Sequence, residues 1–187
     1  TASMIGKYRG GAVPAPPPGY ADAPECTFAH QGSPLAVEAT ATCAAVRTQL
    51  EEFDLSAALE TVWGFVRRLN RYVEEQAPWK QAKAEAAEAA AAAEAEGVVQ
   101  SACPERGPAG AALDATLWDL AEGLRLLSVL LYPFMPTTAM AIRERLGLRA
   151  APDGVAGAPT WDEACWGLLR GGVQVTAGAP LFPRIEE

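Results

Sequence analysis

Apolar residues recur every three or four positions along much of the chain, which is the spacing of one buried face on an amphipathic helix. The clearest repeat runs from Ala112 to Leu131 and predicts a helix through the middle of a bundle. Its apolar seam consists of Leu113, Leu117, Leu120, Leu124, Leu127 and Leu131. The charged residues between them are predicted to face solvent, and they are Asp114, Asp119, Glu122 and Arg125.

A second amphipathic repeat follows Asp54, which stands where an N-cap residue belongs. Pro78 disfavours the α conformation for the residue before it, so this helix is expected to end near Gln76. Trp79 is then expected on the turn at the helix end. The predicted apolar face contains Leu55, Leu59, Val62, Val66, Leu69 and Val73.

Shorter helices are predicted on both sides of these two. Residues 1–8 have the character of a helix end, because two glycines follow them. Ser33 and Pro34 have the types of an N-cap and a first helical residue. The helix that they start has a predicted buried stripe of Ala36, Ala39, Cys43, Val46, Leu50 and Phe53. Only a very short break separates it from the helix after Asp54, so the two are expected to pack antiparallel.

The second half of the chain predicts two more short helices. Pro136 opens one of them, with Arg143 among its outward residues and with Ala139, Ile142 and Leu146 pointing inward. Thr160 and Glu163 have the spacing of a capping box and predict a helix over residues 161–168.

Three segments lack the bulky apolar residues of a core. Residues 13–34 form a loop rich in proline and glycine, and residues 84–110 form an alanine-rich insertion and linker whose helical part is expected to be exposed or projecting. Residues 171–187 form an irregular tail that Leu181 and Phe182 are expected to anchor against the bundle. With no alternating pattern of useful length, the predicted fold is an all-α antiparallel bundle.

Length, charge and cysteine spacing limit the possible functions. A chain of 187 residues is most simply one domain. Its net charge of -8 argues against coating nucleic acid through a broad basic surface. A local basic site stays possible, since charges more than about 8 Å apart are largely screened. The four cysteines have no zinc-like spacing and are interpreted as reduced thiols of a cytoplasmic protein, and no stretch predicts a membrane span.

Catalytic chemistry has no candidate residues here. The sequence contains neither a G-x-x-x-x-G-K-[ST] loop nor a G-x-G-x-x-G turn. Its one histidine, His30, falls in the proline-rich loop, so no nucleophile and base can be paired. We therefore expect no catalytic residue, cofactor site or metal site within the chain.

Four separated strings resemble one protein family. They are SMIGKY from Ser3 to Tyr8, NRYVEEQAPWKQAK from Asn70 to Lys83, LYPFMP from Leu131 to Pro136, and LFPRIE from Leu181 to Glu186. In this order they resemble the anticodon-binding domain of methionyl-tRNA synthetases. The resemblance implies a bundle of the class I synthetase anticodon-binding type and methionine tRNA as partner. It further implies that ATP and Mg act in a catalytic domain that this chain lacks, and that this domain is a second partner. Neither DNA nor a membrane is implied.

The resemblance also implies a site. Pro78 and Trp79 would meet the anticodon loop, with Trp79 stacking on a base, as unpaired bases commonly do on aromatic side chains. On physical grounds, Arg71 and Lys80 flank this indole and are candidate phosphate ligands. The alternative is that Trp79 covers the apolar end of the bundle, since indoles are usually structural.

One departure and two rival functions remain. The family is expected to use an Asn and an Arg from a helix just before Thr1, so the chain alone is expected to bind tRNA weakly and to be inactive as an enzyme.

The first rival is a stand-alone paralogue without ligase activity, which binds a protein through the acidic alanine-rich helix or binds tRNA. The second is a helical bundle with no RNA role. The coding sequence upstream of Thr1 would separate the ligase from the paralogue.

Overall fold

A computed structural model describes residues 1–17, 33–95, 107–148, 158–178 and 181, and the regular structure in these ranges is helical. The elements are α1 (Ala2–Arg9), α2 (Pro34–Glu51), α3 (Leu55–Gln76), α4 (Pro78–Ala95), α5 (Pro108–Leu130), α6 (Pro136–Arg145) and a 3-10 helix (Trp161–Glu163). The all-α prediction is confirmed. None of these helices is long and apolar enough to cross a membrane. His30, Phe182, most of the proline-rich loop and the linker before Gly107 lie outside the described ranges.

The central element is α5, which contacts α1, α2, α3, α4, α6 and the 3-10 helix. The predicted leucine seam is confirmed, with only Leu124 left partly exposed. Trp118 is also fully buried, and Gly123 leaves room for Leu69 of α3, whose Cδ2 would lie 2.6 Å from a Cβ at that position. A helix enclosed on all sides has no solvent face. The prediction that Asp119, Glu122 and Arg125 face solvent is therefore wrong, and all three are buried.

The helices α2 and α3 form the predicted hairpin. The Asp54 carboxylate accepts a hydrogen bond from the Ala57 N–H at 2.9 Å, as an N-cap does. The buried face of α3 is rotated from the predicted one, since Leu55 is exposed while Phe65 and Tyr72 are buried. Phe53 was predicted to be buried but is 88% exposed, because the chain reverses there with a φ of 60°.

The helices α3 and α4 follow one another along α5 in the antiparallel direction. Tyr72 of α3 contacts Asp119 of α5, and Glu88 of α4, later in the chain, contacts Ala109 near the start of α5. Pro78 starts α4 immediately after Ala77, so Trp79 lies in the first turn of a helix and the predicted turn is corrected. The alanine-rich segment packs on α5 as far as Glu88, whose carboxylate accepts a hydrogen bond from the Ala109 N–H at 3.2 Å. Residues 86–93 are otherwise exposed. The interpretation of residues 84–110 as an insertion stays a prediction.

The segment after α6 contains less helix than predicted. The capping box of Thr160 and Glu163 is present, but the helix is a single 3-10 turn. Arg143, predicted to point outward, is buried and pairs with Glu163 at 2.9 Å. The prediction of four reduced cysteines is wrong for Cys165, which is disulfide-bonded.

Candidate nucleic-acid interface

The indole of Trp79 lies on the first turn of α4 and is 49% exposed. The residues before it, Ala77 and Pro78, are buried. Trp118 and Trp166 provide a contrast, because they pack edge to face in the core with their ring centroids 6.2 Å apart. Half of the Trp79 surface is thus open to a ligand.

Ala77 both ends α3 and begins α4. Its backbone is left-handed, with φ 43° and ψ 64°, and its N–H donates to the Val73 carbonyl at 3.0 Å. Its own carbonyl accepts from the Lys80 N–H at 2.7 Å. This conformation costs a residue with a Cβ about 1–2 kcal/mol, which the surrounding packing must offset. The conformation at Ala77 and the fixed φ of Pro78 set the direction in which Trp79 leaves the bundle.

The last turns of α3 are fixed by a buried hydrogen-bond network below the junction. The Tyr72 hydroxyl and the Ser33 hydroxyl both donate to Asp119 Oδ2, at 2.7 and 2.8 Å. Burial raises the pKa of the Asp119 carboxyl, and these two hydrogen bonds oppose that effect. Burial likewise raises the pKa of Tyr72, with a further contribution from the charge of Asp119. The network joins α3 to α5 and to the start of α2.

The basic residues of α3 differ in their partners. Arg67 pairs with Glu60 at 2.7 Å, while Arg68 is bound by two carboxylates from Glu38 and Glu75 at 2.7 and 3.1 Å. Arg71 and Lys80, the predicted phosphate ligands, are exposed. Neither of these two forms an ion pair with any residue that the structure describes.

Pro78, Trp79 and Lys80 are therefore brought together on the first turn of α4. Arg71 lies six residues before Ala77, about 9 Å back along the axis of α3. The arrangement places the half-exposed indole next to the exposed Lys80, with the exposed Arg71 further back on α3, and the N-terminal end of α4 adds a favourable field for anions. These are the parts of a single-strand binding surface, which combines stacking with backbone contacts.

Arg9 is a positioning residue that sequence reasoning missed. Its guanidinium donates to both carboxylate oxygens of Glu85, at 3.0 and 3.1 Å, and to the Asp114 carboxylate. It thereby joins α1, α4 and α5, and its partner Glu85 lies six residues after Trp79, about 9 Å along the axis of α4. The partners lie far apart in the sequence, so no local pattern could have indicated the contact.

Comparison with known proteins gives matches along the whole chain, although no family model matches it. It is 36% identical over 187 residues to the methionine-tRNA ligase of Streptomyces coelicolor, covering 100% of this chain and 29% of that protein. The ligase of Deinococcus radiodurans is 36% identical over 186 residues, covering 100% of this chain and 22% of that protein. The chain thus spans less than a third of the length of these relatives.

The fold matches a solved structure as well. Mycobacterium tuberculosis methionyl-tRNA synthetase, in complex with methionyl-adenylate, superposes with a TM-score of 0.61 at 23% identity, over 98% of this chain and 29% of that one. The resemblance seen in the four sequence strings is confirmed. The chain belongs to the methionine-tRNA ligase family and corresponds to the helical C-terminal part of its members.

Proposed function

We propose that this chain is the anticodon-binding part of an ATP-dependent methionine-tRNA ligase and that it recognises the anticodon loop of methionine tRNA. The observation that carries the proposal is the half-exposed indole of Trp79 on a junction whose other residues are buried. A base that leaves the loop can lie against this indole. Such stacking is worth about 1–3 kcal/mol per base. Because Ala77 and Pro78 already fix the backbone from which the ring extends, less conformational freedom is lost on binding.

Arg71 and Lys80 supply the backbone contacts. Both are exposed, and neither forms an ion pair with a carboxylate among the described residues. Arg68 is unsuitable for this role, since two glutamates already hold it. Arg71 and Lys80 are therefore the two candidate phosphate contacts. So few cations, in a chain with a net charge of -8, are suited to binding one loop rather than a long stretch of nucleic acid.

The chemistry of aminoacylation belongs to the rest of the enzyme in this proposal. A catalytic domain outside these residues binds ATP with Mg, activates methionine and is the direct partner of the chain in the cytoplasm. The residues described here bind and orient the tRNA.

The test is Trp79→Ala in the full-length ligase. The loss of one stacked base predicts a fall of about 5- to 150-fold in kcat/KM for tRNA, while methionyl-adenylate formation without tRNA stays unchanged. Trp79→Phe keeps an aromatic face and is expected to retain most of the activity. Unchanged charging by Trp79→Ala would support the alternative in which the indole only covers the end of the bundle.

A further inference from the structure

A concave cavity, which we name the α6 cavity, lies where the end of α6 meets residues 174–176. Its volume is about 780 Å³, within the range of about 300–1,000 Å³ that is typical of small-molecule sites. Its described lining residues come from α6, from the turn at Gly147 and Leu148, and from Gln174 and Thr176. None of them belongs to the Trp79 junction, so a ligand here is independent of the proposed tRNA site.

Backbone contacts fix the wall of the α6 cavity. The Thr176 N–H donates to the Arg145 carbonyl at 2.8 Å. Gly147 has a φ of 68°, and a Cβ at this position would lie 2.3 Å from the Gln174 carbonyl oxygen. Glycine is therefore needed for the two segments to approach so closely. With its wall already formed, the cavity needs little rearrangement of the chain to bind a ligand.

Arg143 lines the cavity with a guanidinium that lacks acceptors. Its side chain is only 10% exposed. Glu163 Oε2 lies 2.9 Å from Nη1, but the direction of this contact does not make a hydrogen bond, and Nη1 is left without an acceptor. No other hydrogen bond joins this guanidinium to a residue that the structure describes. Nearly all buried polar groups in proteins have a hydrogen-bond partner, so an acceptor from outside the chain is expected here.

Arg125 shows how this fold satisfies a buried guanidinium whose role is structural. It donates to both carboxylate oxygens of Glu122, at 2.8 Å each, and to the backbone carbonyls of Glu163 and Cys165. Arg143 contacts the same segment through Glu163 but receives no such set of acceptors. The contrast between the two arginines indicates a ligand at Arg143 rather than a second structural network.

The other polar groups around the cavity suit an anion. Thr137 and Thr176 carry hydroxyl donors, and Gln174 carries an amide donor. Glu144 also lines the cavity, and its carboxylate would repel an anion at close range. This glutamate is exposed, so its carboxylate can remain hydrated and screened by salt. The buried Arg143 therefore sets the position of the anion.

We propose that the α6 cavity binds a small oxyanion with an apolar group, either a carboxylate or a phosphate monoester. The guanidinium of Arg143 donates to two oxygens of the anion in parallel, as its planar shape favours. Met140 and Leu148, both half-buried, cover the apolar group. The ligand joins α6 to residues 174–176 and thereby stabilises the segment after α6.

The binding test uses the full 187-residue chain and probes that share one apolar tail, namely hexanoate, hexyl phosphate and hexanamide. Each is titrated and followed by the backbone amide signals in NMR spectra. We expect one of the two anions to bind at least about 10-fold more tightly than hexanamide, which forms no charge-assisted hydrogen bonds. The tighter anion identifies the headgroup. The amides that shift should be those of Gly147, Leu148 and residues 174–176. Equal binding of all the probes, or shifts confined to other surfaces, would overturn the proposal.

Substitution of Arg143 tests the group that holds the anion. Arg143→Met removes the donors, and we expect a loss of affinity for the better anion of about 10-fold or more. Arg47→Met is the matched control, because Arg47 is exposed and pairs with Glu51 on α2, and it should bind as the wild type does. Arg143→Lys keeps the charge without the planar fork and is expected to lose an intermediate amount of affinity. It also provides the test if Arg143→Met does not fold. Undiminished anion binding by either Arg143 variant would contradict the proposal.

Discussion

Glu122 and Arg125, one turn apart on α5, form an ion pair in which neither side chain is more than 3% exposed. Arg125 Nε lies 2.8 Å from Glu122 Oε2. The arginine also donates to the carbonyls of Glu163 and Cys165, and the glutamate accepts from three consecutive N–H groups of residues 167–169. The pair therefore fixes the segment after α6, which has little regular structure of its own.

Removing one partner of this pair should be costly. Glu122→Ala leaves the buried guanidinium of Arg125 without its counter-charge and three backbone N–H groups without their acceptor. We expect the free energy of unfolding to fall by about 3–5 kcal/mol, measured by urea denaturation. The matched control is Glu60→Ala, which breaks the exposed pair with Arg67 and should cost less than about 1 kcal/mol. Equal losses for the two variants would contradict the structural role of the buried pair.

Asp119 predicts a dependence of stability on pH. Because burial raises its folded pKa, the folded state holds the proton more tightly than the unfolded state, whose pKa is about 3.9. Its contribution to stability is full below that value and is lost as the pH rises through the folded pKa.

The variant Asp119→Asn tests this sign. Asn can still accept a hydrogen bond from Tyr72 or Ser33 but does not titrate. Its Tm relative to the wild type is expected to increase as the pH is raised from about 4 until the folded pKa is passed. A difference in Tm that is constant or decreases over this range would show that the carboxyl is not destabilised by burial.

Phe53 offers a stabilising substitution. Its φ of 60° costs a residue with a Cβ about 1–2 kcal/mol, and its exposed ring contributes little packing. Phe53→Gly removes that cost, partly offset by the greater freedom of glycine in the unfolded chain. We expect a gain of about 0.5–1 kcal/mol by denaturant unfolding. Phe53→Ala keeps the cost and should show no gain. A loss of stability in the glycine variant would refute the expected strain.

The salt dependence of tRNA binding can distinguish Arg71 and Lys80 from basic residues that do not contact phosphate. In the full-length ligase, each true phosphate contact to a single strand contributes about 0.7 to the slope of log K against log salt concentration. Arg71→Ala and Lys80→Ala are each expected to reduce the slope for tRNA by that amount. Arg67→Ala is the control, since Glu60 already pairs with it. Equal slopes for Arg71→Ala and Arg67→Ala would remove Arg71 from the interface.

The first or last residue of a helix was predictable from the sequence where a single residue sets it through the nearest turn of backbone. Asp54 caps α3, Ser33 caps α2 and Pro136 starts α6, because each of these effects depends on the nearest turn of backbone. Pro78 was correctly predicted to end α3, but its second role as the first residue of α4 was missed. Proline is favoured both just after the end of a helix and at the first position of the next one, so its presence at residue 78 did not distinguish these roles.

The errors come from contacts that no local pattern encodes. Charged residues were assigned to solvent by type, whereas Asp119, Glu122 and Arg125 find partners on segments that are distant in the sequence. The site residues came from the family resemblance and from chemical type. The structure adds that Trp79 is open and that Arg68 is already paired, and the roles of Trp79, Pro78, Arg71 and Lys80 stay predictions.

The anchoring of α4 at Glu85 and Glu88 also limits where this helix can vary in length. Arg9 holds Glu85 in register, and the start of α5 holds Glu88. An insertion or deletion before that point would shift these partners by part of a turn and disturb the bundle. Indels among homologues are therefore expected beyond Glu88, where they would leave the contacts of Glu85 and Glu88 in place.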